Sequence, residues 1–214
     1  HALRAQREAG AGRRVFDGFG EQPPSTPVVC IASGPSLTPE DCATVRERGL
    51  PAVVTNTTFR MAPWADALIG HDLKWWTVYD AEVRAAFTGA KLCCSVVPKD
   101  IDAVNALPFL PGRGFGNSGT AAIALAIHAG ARRVLLLGYD SQRGPNGRAH
   151  WHEAHPAPLG DAKSLPKWGP KFAVVAALAK QKRVEVLNCS RSTALKAFPL
   201  ATLEDVLDDL AIAA

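Results

Sequence analysis

Residues 150–155 read His-Trp-His-Glu-Ala-His, which places three histidines and one glutamate within six positions. Because imidazole titrates near neutral pH, His150, His152 and His155 are candidates for general acid or base chemistry. An extended His-x-His segment can also turn two rings toward one metal ion, but this spacing is not that of a standard zinc motif and no cysteine is close. Solvated histidines of a surface loop are the third interpretation. We favour base chemistry or substrate contact, and we assign no metal ligand.

The segment Ser-Gly-Pro-Ser-Leu at residues 33–37 follows an apolar run and precedes a helical pattern. Gly34 allows a ligand to approach the backbone closely, and Ser33 and Ser36 supply hydroxyl groups. The helix that follows offers N–H groups without partners inside the helix. The segment lacks the glycines and the lysine of the standard phosphate-binding loops. It predicts a nucleotide-binding turn, and an ordinary strand-to-helix turn is the alternative.

Two asparagines occupy comparable positions later in the chain. Asn56 follows a second apolar run, and its amide can both donate and accept hydrogen bonds at a base or a ribose. Asn117, Ser118 and Gly119 open an alanine-rich helix, where small residues leave room for an anion or a ribose at the helix N-terminus. Arg113 precedes them and has the charge to neutralise a phosphate. Capping of the next turn is the alternative for both asparagines.

Two acidic residues follow apolar, strand-like runs. Asp140 ends Gly-Tyr-Asp at residues 138–140, and Asp72 follows His71. A carboxylate at the end of a parallel strand can hold a ribose, a metal or a substrate hydroxyl, or it can cap a helix. We expect Asp140 to take part in catalysis and Asp72 to contact the substrate.

These candidates share one position relative to the elements around them, because each follows a predicted strand or opens a predicted helix. Apolar runs alternate with helical patterns, which predicts an α/β, Rossmann-like, doubly wound and mostly parallel sheet with helices on both faces. Ligands of such sheets bind outside the carboxyl ends of the strands. We predict a single domain at residues 28–214, with a lid loop at about 141–168 and a partly ordered N-terminal arm at 1–27. The predicted strands are 28–32, 51–55, 67–70, 91–97, 132–137 and 184–188, and the predicted helices are 39–48, 74–86, 118–129, 170–182 and 203–212.

Composition excludes several classes of protein. The chain has 214 residues, 47% hydrophobic and 21% charged, so it is not intrinsically disordered. No apolar run approaches the roughly 20 residues of a membrane helix. The net charge of +4 permits an anionic ligand, but no basic run marks a dedicated DNA-binding protein. The five cysteines form no Cys-x-x-Cys pair, which predicts buried, reduced thiols in a cytoplasmic protein.

Taken together, the segments resemble two related groups of enzymes. One comprises the bacterial lipooligosaccharide sialyltransferases, which use CMP-sialic acid. The other is the superfamily of motility-associated glycosyltransferases and archaeal 6-hydroxymethylpterin diphosphokinases. Residues 33–37 resemble the Gly-Pro-Ser-Leu motif of both groups, and the phage-type members, with His-Trp-His later in the chain, are the most similar. Four other segments resemble motifs of the sialyltransferases. Residues 55–59 resemble their Cys-Asn-x-Phe motif, 115–119 their Pro-Asn-Ser-Gly turn, 136–140 their Leu-Ser-Gly-Ile-Asp strand end, and 186–190 their last strand.

This resemblance implies a Rossmann-like fold and a nucleotide-activated donor, a CMP- or UDP-type sugar. The acceptor would be a hydroxyl on a glycan or on a modified base in phage DNA. Asp140 would lie beside the nucleotide site. By position, the residues lining that site would be Gly34, Ser36, Asn56, Asn117, Ser118 and Gly119.

The chain departs from the sialyltransferases at two points. Their catalytic histidine precedes the penultimate helix, where residues 164–168 contain none, and the phosphate-binding tyrosine pair of their lid is absent. We therefore expect one histidine of the 150–155 segment to act as the base. Tyr139 lies near the lid, and the cations expected at the phosphates are Arg143, Arg148 and Lys167.

Two other functions fit the same residues. A diphosphokinase-like transferase would need Mg²⁺, with Asp72 and Asp140 near the phosphates. A non-catalytic nucleotide-binding module would bind the same ligand without turnover.

Overall fold

One sheet of seven parallel strands runs through the described residues, which in this computed structural model are 26–105, 116–160, 162 and 165–212. The strand order is β5-β4-β3-β2-β1-β6-β7, so the predicted Rossmann-like parallel sheet is confirmed. The strands are β1 (Val28–Ile31), β2 (Ala52–Thr55), β3 (Ala67–Gly70), β4 (Ala90–Cys93), β5 (Val104–Asn105), β6 (Arg133–Leu137) and β7 (Glu185–Asn188).

The helices begin where the sequence supplies caps. The Thr38 hydroxyl accepts a hydrogen bond from the Asp41 N–H, and the Asp41 carboxylate accepts one from the Thr38 N–H. Pro39 fills the first helical position, as predicted. The α-helices of the described residues are α1 (Pro39–Glu47), α2 (Leu73–Ala86), α3 (Ser118–His128), α4 (Gly169–Lys182) and α5 (Leu203–Ile212), and short 3-10 helices span Asn56–Arg60 and Leu165–Lys167.

Two hydrophobic cores lie on opposite faces of the sheet. Helices α3 and α4 pack in one core, and α1, α2 and α5 pack in the other. Strand β1 contributes to both, because Val28 and Cys30 belong to the first core while Val29 and Ile31 belong to the second. Burial on both faces explains why such a strand is a continuous apolar run in the sequence.

The direction of the strand order reverses at β1. The chain runs from β1 through β2, β3 and β4 to the β5 edge, and α3 then leads back to β6 on the other side of β1. The crevice outside the carboxyl ends of β1 and β6 is therefore the topological switch point, where open α/β sheets bind their ligands.

Some predictions differ from the structure or lie outside it. The strand predicted at 91–97 is β4 and ends at Cys93, because the chain bends there and the Ser95 N–H donates to the Cys93 sulfur. Strand β5 has no counterpart in the prediction. The predicted arm lies outside the described residues except for 26 and 27. Within the described ranges, the helices are too short or too polar to cross a membrane.

Candidate functional site

A cavity of about 160 Å³ opens at the switch point, at the carboxyl ends of β1, β2, β3 and β6. This volume is below the roughly 300–1,000 Å³ of clefts that enclose a whole drug-sized ligand. The enclosed part therefore suits a fragment such as a base or a ribose. The predicted site residues that line it are Ser33, Gly34, Asn56, Asp72, Asn117, Ser118, Gly119, Tyr139, Asp140 and His150.

The turn after β1, residues 33–37, is closed by Asp140. The Ser36 N–H donates to Oδ2 of Asp140 at 2.7 Å, and the Ser36 hydroxyl donates to Oδ1 at 2.8 Å. A Cβ at Gly34 would lie 2.3 Å from that Oδ1 and 2.4 Å from the Gly138 carbonyl oxygen. Only glycine allows this approach of the two strand ends. Gly34 lines the cavity, whereas Ser36, whose donors both bind Asp140, is not among the lining residues.

The Asp140 carboxylate positions the turn. Burial raises its pKa to about 6, and the two hydrogen bonds from Ser36 act in the opposite direction. The Ser33 hydroxyl is also committed, to the Thr58 hydroxyl at 2.8 Å. Both Asp140 oxygens thus accept hydrogen bonds from Ser36. The part in catalysis that we expected for Asp140 stays a prediction.

The start of α3, residues 117–119, is hydrogen-bonded differently. Oδ1 of Asn117 accepts from the Thr120 N–H at 2.9 Å and caps the helix, which identifies Nδ2 as the remaining donor of the amide. This Nδ2 is buried and has no hydrogen-bond partner among the described residues. The N–H groups of Ser118 and Gly119 lie in the first turn, where helices have no internal acceptors. A ligand in the cavity would therefore meet the N–H groups of Ser118 and Gly119, with Nδ2 buried beside them.

The Ser118 hydroxyl joins the start of α3 to the ends of two strands. It donates to Oδ1 of Asn56 at 3.0 Å and accepts from the His71 N–H at 2.9 Å. Asn56 has a φ of 47°, in the left-handed region that asparagine tolerates better than most residues. Asn56 lines the cavity, and its amide oxygen is committed to Ser118.

The histidine segment lies over the end of β1. The Trp151 N–H donates to the Ser33 carbonyl at 3.1 Å, and the preceding residues Ala149 and His150 line the cavity. His150 is thus placed to act on a ligand there.

The other two histidines pack against His150 and are not among the lining residues. The His150 and His152 rings are stacked with centroids 4.9 Å apart, and the His155 centroid lies 4.8 Å from that of His152. His155 Nδ1 is 3.0 Å from the Tyr79 hydroxyl. We name the rings of His150, His152 and His155 the imidazole cluster.

Tyr139 lines the cavity, but its hydroxyl is engaged. It donates to the Gly119 carbonyl at 3.0 Å, and the ring packs edge-on against Phe172. Burial raises the pKa of Tyr139 well above its ordinary value. The tyrosine therefore supports the first turn of α3 as a neutral hydroxyl.

One acidic and one basic group lie near the start of α3. Asp72 is exposed, and hydrogen bonding to the His71 ring lowers the Asp72 pKa, as does the charge of Lys171. Lys171 of α4 donates from Nζ to the Gly116 carbonyl at 2.6 Å. Lys171 was missed by sequence reasoning, since nothing in an amphipathic helix pattern distinguishes a lysine that reaches a distant turn.

The cations expected at the phosphates do not reach the cavity. Arg143 donates to the Gly147 carbonyl at 2.9 Å, and Arg148 pairs with Glu153, so both bind acceptors of their own loop. Lys167 is exposed on the short 3-10 helix and is not among the lining residues. Arg113 lies outside the described residues.

Clusters of metal ligands and free thiols are the remaining candidate groups. In the described parts of the chain, no group of three histidine, cysteine or carboxylate side chains is arranged to hold a metal ion. All five cysteines are free thiols, and burial raises the pKa of each one. The prediction of buried, reduced thiols is confirmed for Cys30, Cys42, Cys93 and Cys189, while Cys94 is half-buried.

Further residues line the cavity that the sequence did not single out as site residues. They are neutral or aromatic groups on β2, the lid loop and α4, and such residues carry no chemical motif. The residues are Thr55, Ser141, Gln142, Ala149, Leu165, Trp168 and Phe172.

No protein-family model and no curated protein matches the chain. Among solved structures, it is similar to a metagenomic short-chain oxidoreductase in complex with NADP, with 17% identity over 88% of this chain and 92% of that chain and a TM-score of 0.29. It is also similar to a protein from Thermus thermophilus soaked with ZnCl2, with 13% identity over 76% of this chain and 55% of that chain and a TM-score of 0.20. Similarity at this level does not bear on function.

Proposed function

We propose that the protein is a glycosyltransferase that uses a nucleotide-activated sugar of the CMP or UDP type. The observation that carries the proposal is that His150 and the first residues of α3 line the same switch-point cavity. The helix start would bind the anionic or ribose part of the nucleotide, and the imidazole would act on the acceptor.

The nucleotide would be held by the donors at the start of α3. The N–H groups of Ser118 and Gly119 favour an acceptor-rich ligand, and the buried Nδ2 of Asn117 beside them lacks an acceptor among the described residues, which is costly. Lys171, at the Gly116 carbonyl, adds a positive charge beside them. Together these groups suit a phosphate or a ribose better than an apolar ligand.

The transfer would be a single displacement. His150 takes the proton of the acceptor hydroxyl, and the acceptor oxygen forms a bond to the anomeric carbon of the sugar. The bond from that carbon to the phosphate oxygen breaks, and the nucleotide leaves with the electron pair. The donors at the start of α3 stabilise the charge that develops on it. The acceptor is a hydroxyl on a glycan or on a modified base in DNA.

Nucleotide binding is tested first, with a thermal-shift panel of CMP, CDP, UDP, GDP and ATP, with and without Mg²⁺. A ligand that binds only the folded state raises the melting temperature. We expect a response to CMP or UDP without a need for metal. A response to ATP alone that requires Mg²⁺ would contradict the proposal in favour of a diphosphokinase, and silence throughout would contradict a nucleotide site.

Turnover is tested by release of free nucleotide from the matching nucleotide sugar, with water as the acceptor. We expect His150→Gln to lose about 100-fold or more of this activity, the usual contribution of a general base, while nucleotide affinity is kept. His128→Gln, at the far end of α3, is the matched control and retains full activity. Binding without turnover in the wild type would identify a non-catalytic nucleotide-binding module.

A further inference from the structure

The imidazole cluster is anchored from outside the lid loop. His152 and His155 do not line the cavity, yet their rings contact His150 and each other at centroid distances of 4.8 to 5.4 Å. The anchor is Tyr79 of α2, whose hydroxyl lies 3.0 Å from Nδ1 of His155. This contact joins residues 76 positions apart in the chain.

Tyr79 is itself held rigidly. Its ring is buried and packs against Trp75 at a centroid distance of 5.1 Å. The Arg60 guanidinium lies 5.5 Å above the ring, and Arg60 is paired through two hydrogen bonds with Glu82 of α2. The phenol oxygen therefore has a fixed location, set by the helix rather than by the loop.

We propose that Tyr79 is a positioning residue for His150, acting through His155 and the imidazole cluster. A phenol that donates to Nδ1 leaves the His155 proton on Nε2 and fixes the plane of that ring. The His152 ring packs against that of His155 and stacks on His150, which lies at the cavity. This inference rests on the proposed function, because it presumes that His150 is the base.

The identity of the partner is what suggests a positioning role. Tyr79 is buried, so its hydroxyl needs a hydrogen-bond partner in any case. The hydroxyl makes its hydrogen bond to the one loop segment that carries the proposed base. The His152 ring is fixed from the other side, with Nδ1 2.6 Å from the Glu153 carbonyl oxygen.

The test uses Tyr79→Phe, which deletes the hydroxyl and keeps the ring contacts. Thr77→Val is the matched control, because it deletes an exposed hydroxyl of the same helix, which donates to the Leu73 carbonyl at 3.1 Å. Imidazole ¹⁵N chemical shifts are measured at mildly alkaline pH, and donor hydrolysis is measured as kcat and KM. Melting temperatures verify that both variants are folded.

We expect Tyr79→Phe to change the ¹⁵N shifts of His155 and to lower kcat by about fivefold to tenfold at unchanged KM, the effect of one lost hydrogen bond. Thr77→Val leaves both readouts unchanged. Imidazole shifts that do not respond to Tyr79→Phe would overturn the inference, as would altered shifts with a normal kcat. A third outcome is that Tyr79→Phe changes the imidazole shifts but the wild-type protein shows no turnover. This result would refute the proposed function and leave the Tyr79–His155 contact established.

Discussion

The turn after β1 (33–37) and the start of α3 (117–119) are both short runs of small and polar residues beside the same cavity, and they are hydrogen-bonded in opposite ways. In the turn, both donors of Ser36 bind Asp140 and the Ser33 hydroxyl pairs with Thr58. At the start of α3, the capping amide of Asn117 keeps a buried donor without a partner in the described residues.

This difference shows that composition identifies a turn but not its chemistry. Serine and glycine can close a junction between strands or present donors to a ligand, depending on what lies opposite. Opposite the turn lies a buried carboxylate, Asp140, which accepts every donor that Ser36 has. Opposite the start of α3 lies the cavity. We therefore regard the first as a junction and the second as a ligand-binding surface.

The largest effect is expected from Gly34→Ala. The added methyl group would lie 2.3 Å from an Asp140 oxygen and 2.4 Å from the Gly138 carbonyl, neither of which can move away without breaking the junction. We expect a loss of about 3 kcal/mol or more in the free energy of unfolding, measured by urea denaturation. Gly160→Ala is the control, because its Cβ would meet nothing within 4 Å. Equal stability of the two variants would refute the junction.

A pH dependence follows from Asp140, whose pKa is raised from 3.8 to about 6. Between pH 3.8 and about 6, Asp140 is protonated in the folded state and ionised in the unfolded state. Its contribution to the free energy of unfolding is therefore fully present below about pH 4 and is lost as the pH rises through 6. The loss is at most about 3 kcal/mol, from about 1.4 kcal/mol per pH unit.

The measurement compares the wild type with Asp140→Asn, which cannot titrate. The difference between their free energies of unfolding should shift in favour of the variant as the pH rises from 4 to 7. A difference that is independent of pH would contradict a buried, titrating Asp140.

Nucleotide affinity should depend on the start of α3. The Asn117→Asp substitution separates the two roles of the Asn117 amide, which are to cap the helix and to donate to a ligand. Aspartate retains the oxygen that caps α3, and its second oxygen takes the buried position of Nδ2, so we expect a folded variant that loses about 1 to 3 kcal/mol of stability. It replaces the Nδ2 donor with an anionic oxygen, so the affinity for CMP or UDP should fall by about tenfold or more. Calorimetric titration measures this fall. Unchanged affinity would mean that the amide does not face the ligand.

The smallest effect is expected from Ser36→Ala. It removes one of the two donors to Asp140 and should cost about 1 kcal/mol of stability, while the pKa of Asp140 rises further. Nucleotide affinity should stay the same, because the hydroxyl belongs to the junction. A loss of affinity that exceeds the loss of stability would reassign Ser36 to the ligand.

Most elements of the fold, though not β5, were predictable from local sequence, and the site was predictable only in part. Strand β1 is recognisable because both faces are buried, and α1 because Thr38 and Pro39 define its start. Whether a hydrogen-bond donor finds an acceptor depends on tertiary contacts. Ser36 and Asp140 are 104 positions apart, and no local pattern indicates that they meet.

The same limit applies to the histidines and the cations. The sequence indicated that residues 150–155 carry chemistry, but only the packing of α2 distinguishes His150 at the cavity from His155 at Tyr79. Arg143 and Arg148 have the charge of phosphate ligands, yet nearby acceptors of their own loop bind them. Lys171 reaches the Gly116 carbonyl from a helix that follows in the chain.

The most direct test of the central claim, that the start of α3 is the nucleotide-binding surface, is an NMR titration of the ¹⁵N-labelled protein with CMP and UDP. We expect the backbone amide signals of Ser118 and Gly119 to shift in a saturable manner, while that of Ser36, bound to Asp140, shifts little. A dominant shift at Ser36, or no saturable shift at the start of α3, would contradict the claim.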